Sequence, residues 1–154
     1  MSTEATARLN LPLLVPGQAQ KELFHNEALA AIDIAVQASV RAVGTNAVPS
    51  DPAEGDCWVV GESPMDAWTD HAGAIAGWTA GGWRFVVPRE GLAVWNQATG
   101  TVARFLAGGW TAGAQRAPIT APQGGSVVDA EARATLAALL TAMQAHGLIA
   151  PANG

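Results

Sequence analysis

The sequence has no tyrosine, one lysine and one cysteine, and charged residues make up only 14% of its 154 positions. An average globular protein has about 25% charged residues. The eight Lys and Arg residues and the net charge of −5 leave no basic stripe, so we expect no nucleic-acid and no membrane partner. No apolar run approaches the roughly 18 residues that a membrane span needs. Residues 1–8 lack the basic start and apolar core of a signal peptide, which predicts a protein made in the cytoplasm.

The single cysteine and the apolar content further limit the possible folds. Cys57 has no second cysteine for an internal disulfide or a paired-cysteine metal motif, so we expect a buried, inert thiol. Apolar residues form 49% of the chain, which is enough to build a core and too much for general disorder. Because charges are few, much of the surface must be Ala, Gly, Thr, Ser and Gln. Our hypothesis is that such a surface belongs to a chain that is largely buried in an assembly.

Residues 1–45 predict an extended, proline-bounded lead-in followed by a helix. After Gly17, neither proline nor glycine occurs before Gly44, and the segment is rich in good helix formers. The predicted helix covers residues 17–43 and stops at Gly44. Six residues follow one another at alternating spacings of four and three, a heptad seam that is the pattern of helices packing side by side. This seam comprises His25, Leu29, Ile32, Val36, Ser39 and Val43.

Residues 46–114 hold all six tryptophans and most of the glycines. Short segments of strand-forming residues are separated by turn residues, which predicts a small antiparallel β-meander. The predicted strands cover residues 56–60, 74–78, 83–87, 92–96 and 102–106.

An internal repeat lies within this region. The segment IAGWTAGGW at residues 75–83 resembles VARFLAGGW at residues 102–110. Each copy reads as a strand that ends in an aromatic residue, a tight Ala-Gly-Gly turn and a tryptophan that opens the next strand. We therefore expect two related hairpins in one sheet, with the aromatic residue and the tryptophan adjacent across each hairpin.

A Pro/Gly linker at residues 115–128 precedes a C-terminal segment at residues 129–154. Asp129 suits the N-cap of a helix, and Gly147 suits the left-handed position after its end. Between them lies an apolar stripe at helical spacing, which needs either the first helix or a second copy to cover it. The stripe comprises Leu136, Leu139, Leu140 and Met143. The fold class is therefore α+β: helix, Trp-rich antiparallel meander, linker and amphipathic helix.

No segment carries a recognisable catalytic, cofactor-binding or metal-binding motif, so we expect no enzyme, no cofactor and no metal. The most site-like cluster is Asp66, Asp70 and His71, but its spacing fits no metal-ligand pattern. Local turns made by the two aspartates explain it better. His25, a single polar residue on the seam, is better explained by register or oligomer state than by metal binding.

The tryptophans allow two interpretations. Indole faces stack on sugar rings, whereas most tryptophans of a small domain form its core. We expect Trp58, Trp83 and Trp95 in the core, because they lie within strand patterns. Trp68 is expected to be the most exposed, because it lies in a loop. The candidate glycan-binding residues are Trp68, Trp78, Asp66 and Asp70.

Several motifs resemble a bacterial family of unknown function that is found in prophages and gene transfer agents. They are LPLLVPGQAQKE at residues 11–22, HNEAL at residues 25–29, the turn at residues 52–56, the two aromatic hairpins and the Pro-x-x-Gly at residues 88–91. The resemblance covers about residues 9–110. It implies a component of phage-like fibres or spikes, including head spikes of gene transfer agents, associated with attachment to capsular polysaccharide. It implies no catalytic residue.

The resulting hypothesis is a non-enzymatic structural or adhesion subunit of a phage-like particle released from the cell. Such a subunit would join a fibre to the particle, help to attach it to host capsule, or do both. We expect a homo-oligomer, first a trimer, or a pentamer at a fivefold vertex. Its partners would be a capsid or tail protein and a second spike or fibre protein. Two alternatives are a stand-alone glycan-binding module and a small envelope hydrolase using Asp66, Asp70 or His71.

The expected oligomer contacts lie on the two predicted helices. On the first they are His25, Leu29, Ile32 and Val36, and on the second they are Leu136, Leu139 and Met143.

Overall fold

The computed structural model describes residues 5–14, 17, 21–112, 119–124, 129–145 and 148–149. Within these residues the fold is α+β, as the sequence predicts, with two α-helices, eight strands and a short 3-10 turn. The elements in chain order are α1 (Lys21–Ala35), β1 (Ser39–Val40), β2 (Val43–Thr45), β3 (Cys57–Val60), the 3-10 turn (Asp66–Trp68), β4 (Ile75–Thr79), β5 (Gly82–Val86), β6 (Ala93–Asn96), β7 (Thr101–Leu106), β8 (Gly109–Ala112) and α2 (Ala130–Ala145).

The strands form two four-stranded sheets of the same design. The N-sheet has the order β2-β3-β4-β5, and the C-sheet has the order β1-β6-β7-β8. In each sheet a short edge strand pairs in parallel with the first strand of a three-stranded antiparallel meander. Both edge strands come from residues 39–45, so one short segment contributes to both sheets.

The predicted strands and hairpins are confirmed, but the expectation that both hairpins share one sheet is wrong. The β4–β5 hairpin lies in the N-sheet and the β7–β8 hairpin lies in the C-sheet. Between the sheets the chain passes through Pro88, which cannot donate a ladder hydrogen bond, and Gly91, whose φ is 86°. These residues end the first meander and let the chain begin a second one.

The first helix ends at Ala35, well before the predicted end at residue 43. Gln37 adopts a left-handed φ of 47°, and the carbonyls at the end of the helix are bound by Arg8. Its guanidinium donates hydrogen bonds to the carbonyl oxygens of Ile34 (3.2 Å) and Gln37 (2.7 Å), among others. Val40 is then fully buried in β1, and this burial outweighs the helical spacing. The last two seam residues therefore lie in strands, Ser39 in β1 and Val43 in β2.

The N-terminal segment folds back on itself through a turn at residues 7–9. Within the predicted extended lead-in, Asn10 departs from the extended form, with a left-handed φ of 54°. A β-bridge joins Ala5 to Pro12, and the buried carboxylate of Asp33 on α1 holds the loop. Asp33 accepts hydrogen bonds from the Thr6 hydroxyl (2.8 Å) and from the backbone N–H groups of Arg8 (3.1 Å) and Leu9 (2.6 Å). Three donors satisfy this buried charge, so it fastens the N-terminal loop to the helix.

Two clusters of buried side chains form the core. The larger lies between the sheets and under α1, and its members are Ile34, Ala38, Val40, Cys57, Val59, Ile75, Val94 and Ala103. The smaller lies on the opposite face of the N-sheet and is aromatic, with Val60, Trp68 and Ala76 at its centre. The N-sheet is therefore covered on both faces.

The second helix begins as predicted. Asp129 accepts a hydrogen bond from the Ala132 N–H at 2.9 Å, which is the expected N-cap contact. Near its end the Leu148 N–H donates to the Met143 carbonyl oxygen at 2.9 Å, the bond that characterises a Schellman ending. Gly147 itself and most of the predicted linker lie outside the described residues. Among the helices of the described residues, none has the length and apolarity to span a bilayer.

Candidate functional site

The repeat produces the predicted aromatic pair at the tip of each hairpin. Trp78 and Trp83 are cross-strand partners whose ring centroids lie 5.0 Å apart, and Phe105 and Trp110 are partners at 5.6 Å. Both pairs are close to edge-to-face, the arrangement that aromatic rings favour. The Trp110 indole N–H also donates to the Gly73 carbonyl oxygen at 2.8 Å, which joins the C-sheet hairpin to the N-sheet side.

Two of the predicted tryptophan environments are wrong. Trp68 is 0% exposed, because the 3-10 turn folds its indole under the N-sheet against Trp58 and Trp83. It cannot present a ring face to a sugar in this position. Trp95 is 47% exposed, because strand alternation directs Val94 and Asn96 inward and Trp95 outward. Trp58 and Trp83 pack on the aromatic core and are half-buried.

The polar loop around Asp66 has the geometry of local turns. Asp66 and Asp70 are exposed and have left-handed φ values of 52° and 68°, a conformation that aspartate tolerates. The His71 ring stacks flat on Phe85, with centroids 3.5 Å apart and an interplanar angle of 3°. In the described part of the chain, no three or more His, Cys, Asp or Glu residues are grouped closely enough to hold a metal ion.

Trp78 also lines a cleft of about 170 Å³, which we call the Trp78 cleft. Its walls are the N-terminal loop, α1 and the β4–β5 hairpin, and most of its lining is apolar. Polar groups at its rim come from Asn26 and Glu27 on α1 and from Thr79 and Arg84 on the hairpin. A mostly apolar cleft with carboxylate, amide and guanidinium groups at its rim can hold a small polar ligand such as a sugar unit.

An ion pair at the rim of this cleft joins α1 to β5. Arg84 Nε lies 2.6 Å from Glu27 Oε2, and Arg84 Nη2 lies 2.7 Å from Oε1, a two-bond arrangement. Hydrogen bonding to Arg84 holds the pKa of Glu27 below its usual range, and the same bond raises the pKa of Arg84. Both groups are therefore charged at neutral pH and oriented by each other.

Cys57 lies at the floor of the cleft and is buried, as predicted from the sequence. Burial raises the pKa of its thiol to about 11, and the opposing effect of Arg8 is smaller. The thiol is neutral at physiological pH, so it lacks the thiolate character that a catalytic nucleophile needs.

The outward side of α1 is apolar. The helix packs on β4 and β5, where Ile34 lies against Gly77 and Glu27 binds Arg84. Phe24 is 76% exposed, and Leu23 is also exposed. Of the predicted seam residues, His25, Ile32 and Val36 are exposed and Leu29 is half-buried.

The apolar stripe of α2 is uncovered. Leu136, Leu139 and Met143 are all exposed, and Leu139 reaches 55%. Leu140 beside them is half-buried. The residues expected to contact another copy are therefore largely accessible on both helices.

Sequence reasoning missed the residues that build the Trp78 cleft. Glu27 and Arg84 belong to distant segments, and no local spacing connects them. The same holds for Arg8 and Asp33, which organise the N-terminal loop. The sequence contains one indirect signal. Charged residues are few, so each arginine has few carboxylates with which it could form an ion pair.

No curated protein and no solved structure matches this chain. A family model does match it over residues 25–111, which is more than half of the chain and includes most of α1 and nearly all of both sheets. The matched family is described as "Protein of unknown function (DUF2793)", and the chain belongs to this family.

Proposed function

We propose that this chain is a non-enzymatic structural subunit of a phage-like particle, a spike or fibre component of the kind found in gene transfer agents. The uncovered apolar stripe of α2 is the observation that carries this proposal. Leu136, Leu139 and Met143 face solvent in the single chain. Buried apolar side chains of this size each contribute about 1.5–3 kcal/mol, so covering the stripe favours association by several kcal/mol.

The length of α2 supports the same conclusion. It has 16 residues, and isolated helices of about this length are marginal in water. Most helices in proteins are stabilised by packing of an apolar face. A second copy that covers the stripe would supply that packing.

The phage-like context rests on the N-terminal motifs and the aromatic hairpins described above. In this proposal the subunit is made in the cytoplasm and incorporated into a particle that the cell releases. It contacts a capsid or tail protein and a second spike or fibre protein. A trimer suits a fibre, and a pentamer suits a fivefold capsid vertex.

The test is the mass of the full chain in solution, measured by light scattering over a wide concentration range. We expect a closed oligomer of defined mass. Leu139→Lys places a charge in the stripe and should lower the mass towards that of one chain. Ala138→Lys, on the opposite side of α2, is the matched control and should keep the mass. A wild-type chain that stays monomeric at every concentration would refute the proposal.

A second candidate function, glycan binding, is favoured by the Trp78 cleft. Its mostly apolar lining and its polar rim of Asn26, Glu27 and Arg84 suit one unit of a capsular polysaccharide. Trp78→Ala should reduce retention on capsulated cells about tenfold or more without changing the oligomer mass. Trp78→Phe keeps an aromatic face and should retain most of the binding. Equal retention of the wild type and Trp78→Ala would remove this function.

A further inference from the structure

The internal repeat allows the surroundings of the two sheets to be compared position by position. Residues 75–83 align with residues 102–110, so Ile75 corresponds to Val102 and Gly77 corresponds to Arg104. The cross-strand partner of Ile75 is Val59, and the partner of Val102 is Trp95. Equivalent faces of the two sheets can therefore be identified without superposition.

In the N-sheet this face is covered by α1 together with the C-sheet. Ile34 of α1 belongs to the same buried cluster as Val59 and Ile75. Its side chain lies so close to Gly77 that a Cβ atom there would be 2.5 Å from Ile34 Cδ1. The Arg84–Glu27 ion pair fixes the same helix at the rim.

In the C-sheet the equivalent face is bare. We call it the outer C-sheet face, and it consists of Trp95, Val102, Arg104 and Leu106, all exposed. Val59 is 1% exposed, whereas its counterpart Trp95 is 47% exposed. Val59 shares a buried cluster with Ile34 of α1 and with Val94 and Ala103 of the C-sheet, whereas no element of the described residues buries Trp95 in this way.

The repeat also aligns two cross-strand pairs, one in each sheet, and each pair contains an arginine. Arg84 is paired with Gly77 in the N-sheet, and Arg104 is paired with Thr111 in the C-sheet. Arg84 binds a glutamate of the covering helix. Arg104 is exposed and has no ion pair among the described residues. The outer C-sheet face therefore has the chemistry of a helix-binding surface: an apolar centre with one available cation.

We propose that α2 of a second copy binds the outer C-sheet face, as α1 covers the N-sheet. The inference rests on the proposed oligomer. Within one chain the α2 stripe and the outer C-sheet face are exposed at the same time, so the chain does not cover either with the other. α1 is already held on the N-sheet by Ile34 and Arg84, which leaves α2 as the available helix. The contact is head-to-tail, and repeated around an axis it gives a ring.

Disulfide trapping tests this contact directly. Leu139→Cys on α2 and Val102→Cys on the C-sheet are prepared as separate chains of different length, mixed and oxidised. We expect a mixed disulfide dimer as the main product on a non-reducing gel. Ala138→Cys, on the opposite side of α2, replaces Leu139→Cys in the control and should give little product. Cys57 stays in place, because its buried thiol should not react in the folded chain.

The outcomes separate this inference from the proposed function. If Leu139→Cys chains cross-link to each other and no disulfide forms with Val102→Cys, the inference is wrong. The proposed oligomer would still stand, with α2 packing on α2. If a chain that carries both substitutions forms only an intramolecular disulfide, α2 binds the face of its own chain and the assignment to a second copy is wrong. A wild-type monomer would overturn both proposals. Trp95→Ala, with its fold checked by circular dichroism, should reduce the oligomer mass; an unchanged mass would also count against this contact.

Discussion

The Trp68 indole illustrates how one side chain stabilises a loop of this protein. It is fully buried, and its ring lies edge-on to Trp83 at 5.1 Å and tilted against Trp58 at 6.2 Å. Trp68→Ala should therefore lower the free energy of unfolding by about 3–5 kcal/mol, measured by urea denaturation. Trp95→Ala at low protein concentration is the control and should cost less than about 1 kcal/mol. Equal losses for the two variants would contradict the buried position of Trp68.

The Glu27–Arg84 pair gives a pH-dependent contribution of known sign. The pKa of Glu27 is below its ordinary value of 4.5 in the folded chain, mainly because Arg84 donates hydrogen bonds to it. The stabilisation is therefore fully present above pH 4.5 and is lost as the pH falls through the lowered pKa. Both side chains are partly exposed, so we expect no more than about 1 kcal/mol.

Glu27→Gln is the variant that measures this contribution. Its free energy of unfolding should lie below that of the wild type at pH 7, and the difference should shrink as the pH falls below 4.5 and through the lowered pKa of Glu27. Arg84→Gln and the double variant complete a double-mutant cycle that isolates the pair. A difference that is independent of pH would show that the carboxylate charge is not involved.

At the residue scale the sequence predicts local contacts better than exposure. The pairing of Trp78 with Trp83 follows from a hairpin turn, which is encoded within nine residues. The burial of Trp68 depends on a strand ten residues before it and on one fifteen residues after it. The position of Trp95 depends on which face of its strand meets the core, and alternation alone leaves that choice open.

At the scale of elements, Gly77 sets how closely α1 approaches β4. A Cβ atom at this position would lie 2.5 Å from Ile34 Cδ1 and 2.6 Å from Cγ1, so Ile34 and the helix would have to move. Gly77→Ala should therefore cost about 1–3 kcal/mol in a urea titration. Combined with Ile34→Ala it should cost less than the sum of the two single changes, because the smaller side chain leaves room.

Gly109→Ala is the matched control for this prediction. Gly109 is the first residue of β8, and a Cβ atom there has no neighbour within 4 Å. Its substitution should change stability by no more than about 0.5 kcal/mol. If Gly77→Ala is equally mild, α1 does not pack as closely on β4 as the structure indicates.

The elements themselves were largely predictable, because strand patterns and turn residues are local. The end of α1 was not, since residues 36–43 have a spacing that suits a helix and side chains that suit strands. Contacts with distant parts of the chain decide between these states: Arg8 binds the last helical carbonyls, and Val40 enters the core. The division of the hairpins between two sheets likewise depends on residues 39–45, which pair with strands far along the chain.

At the scale of the whole molecule, the chain has two sheets of the same design, and only one of them has both faces covered. One face of the N-sheet is covered by α1 and the C-sheet, whereas the equivalent face of the C-sheet is exposed. The second helix also exposes its apolar side. A monomer with both surfaces exposed gains stability whenever another copy covers them. Folding stability and association should therefore be linked.

This linkage predicts that the melting temperature depends on protein concentration. Association that binds only the folded chain stabilises it by mass action, and each kcal/mol gained raises the melting temperature by about 2–4 °C in a chain of this size. Calorimetry of the wild type over a hundredfold range of concentration should show a steady rise. Leu139→Lys should melt lower and without this rise, because a lysine in the stripe cannot be buried cheaply. Ala138→Lys should follow the wild type, and a wild-type melting temperature that stays constant would mean that the exposed stripe of α2 does not drive association.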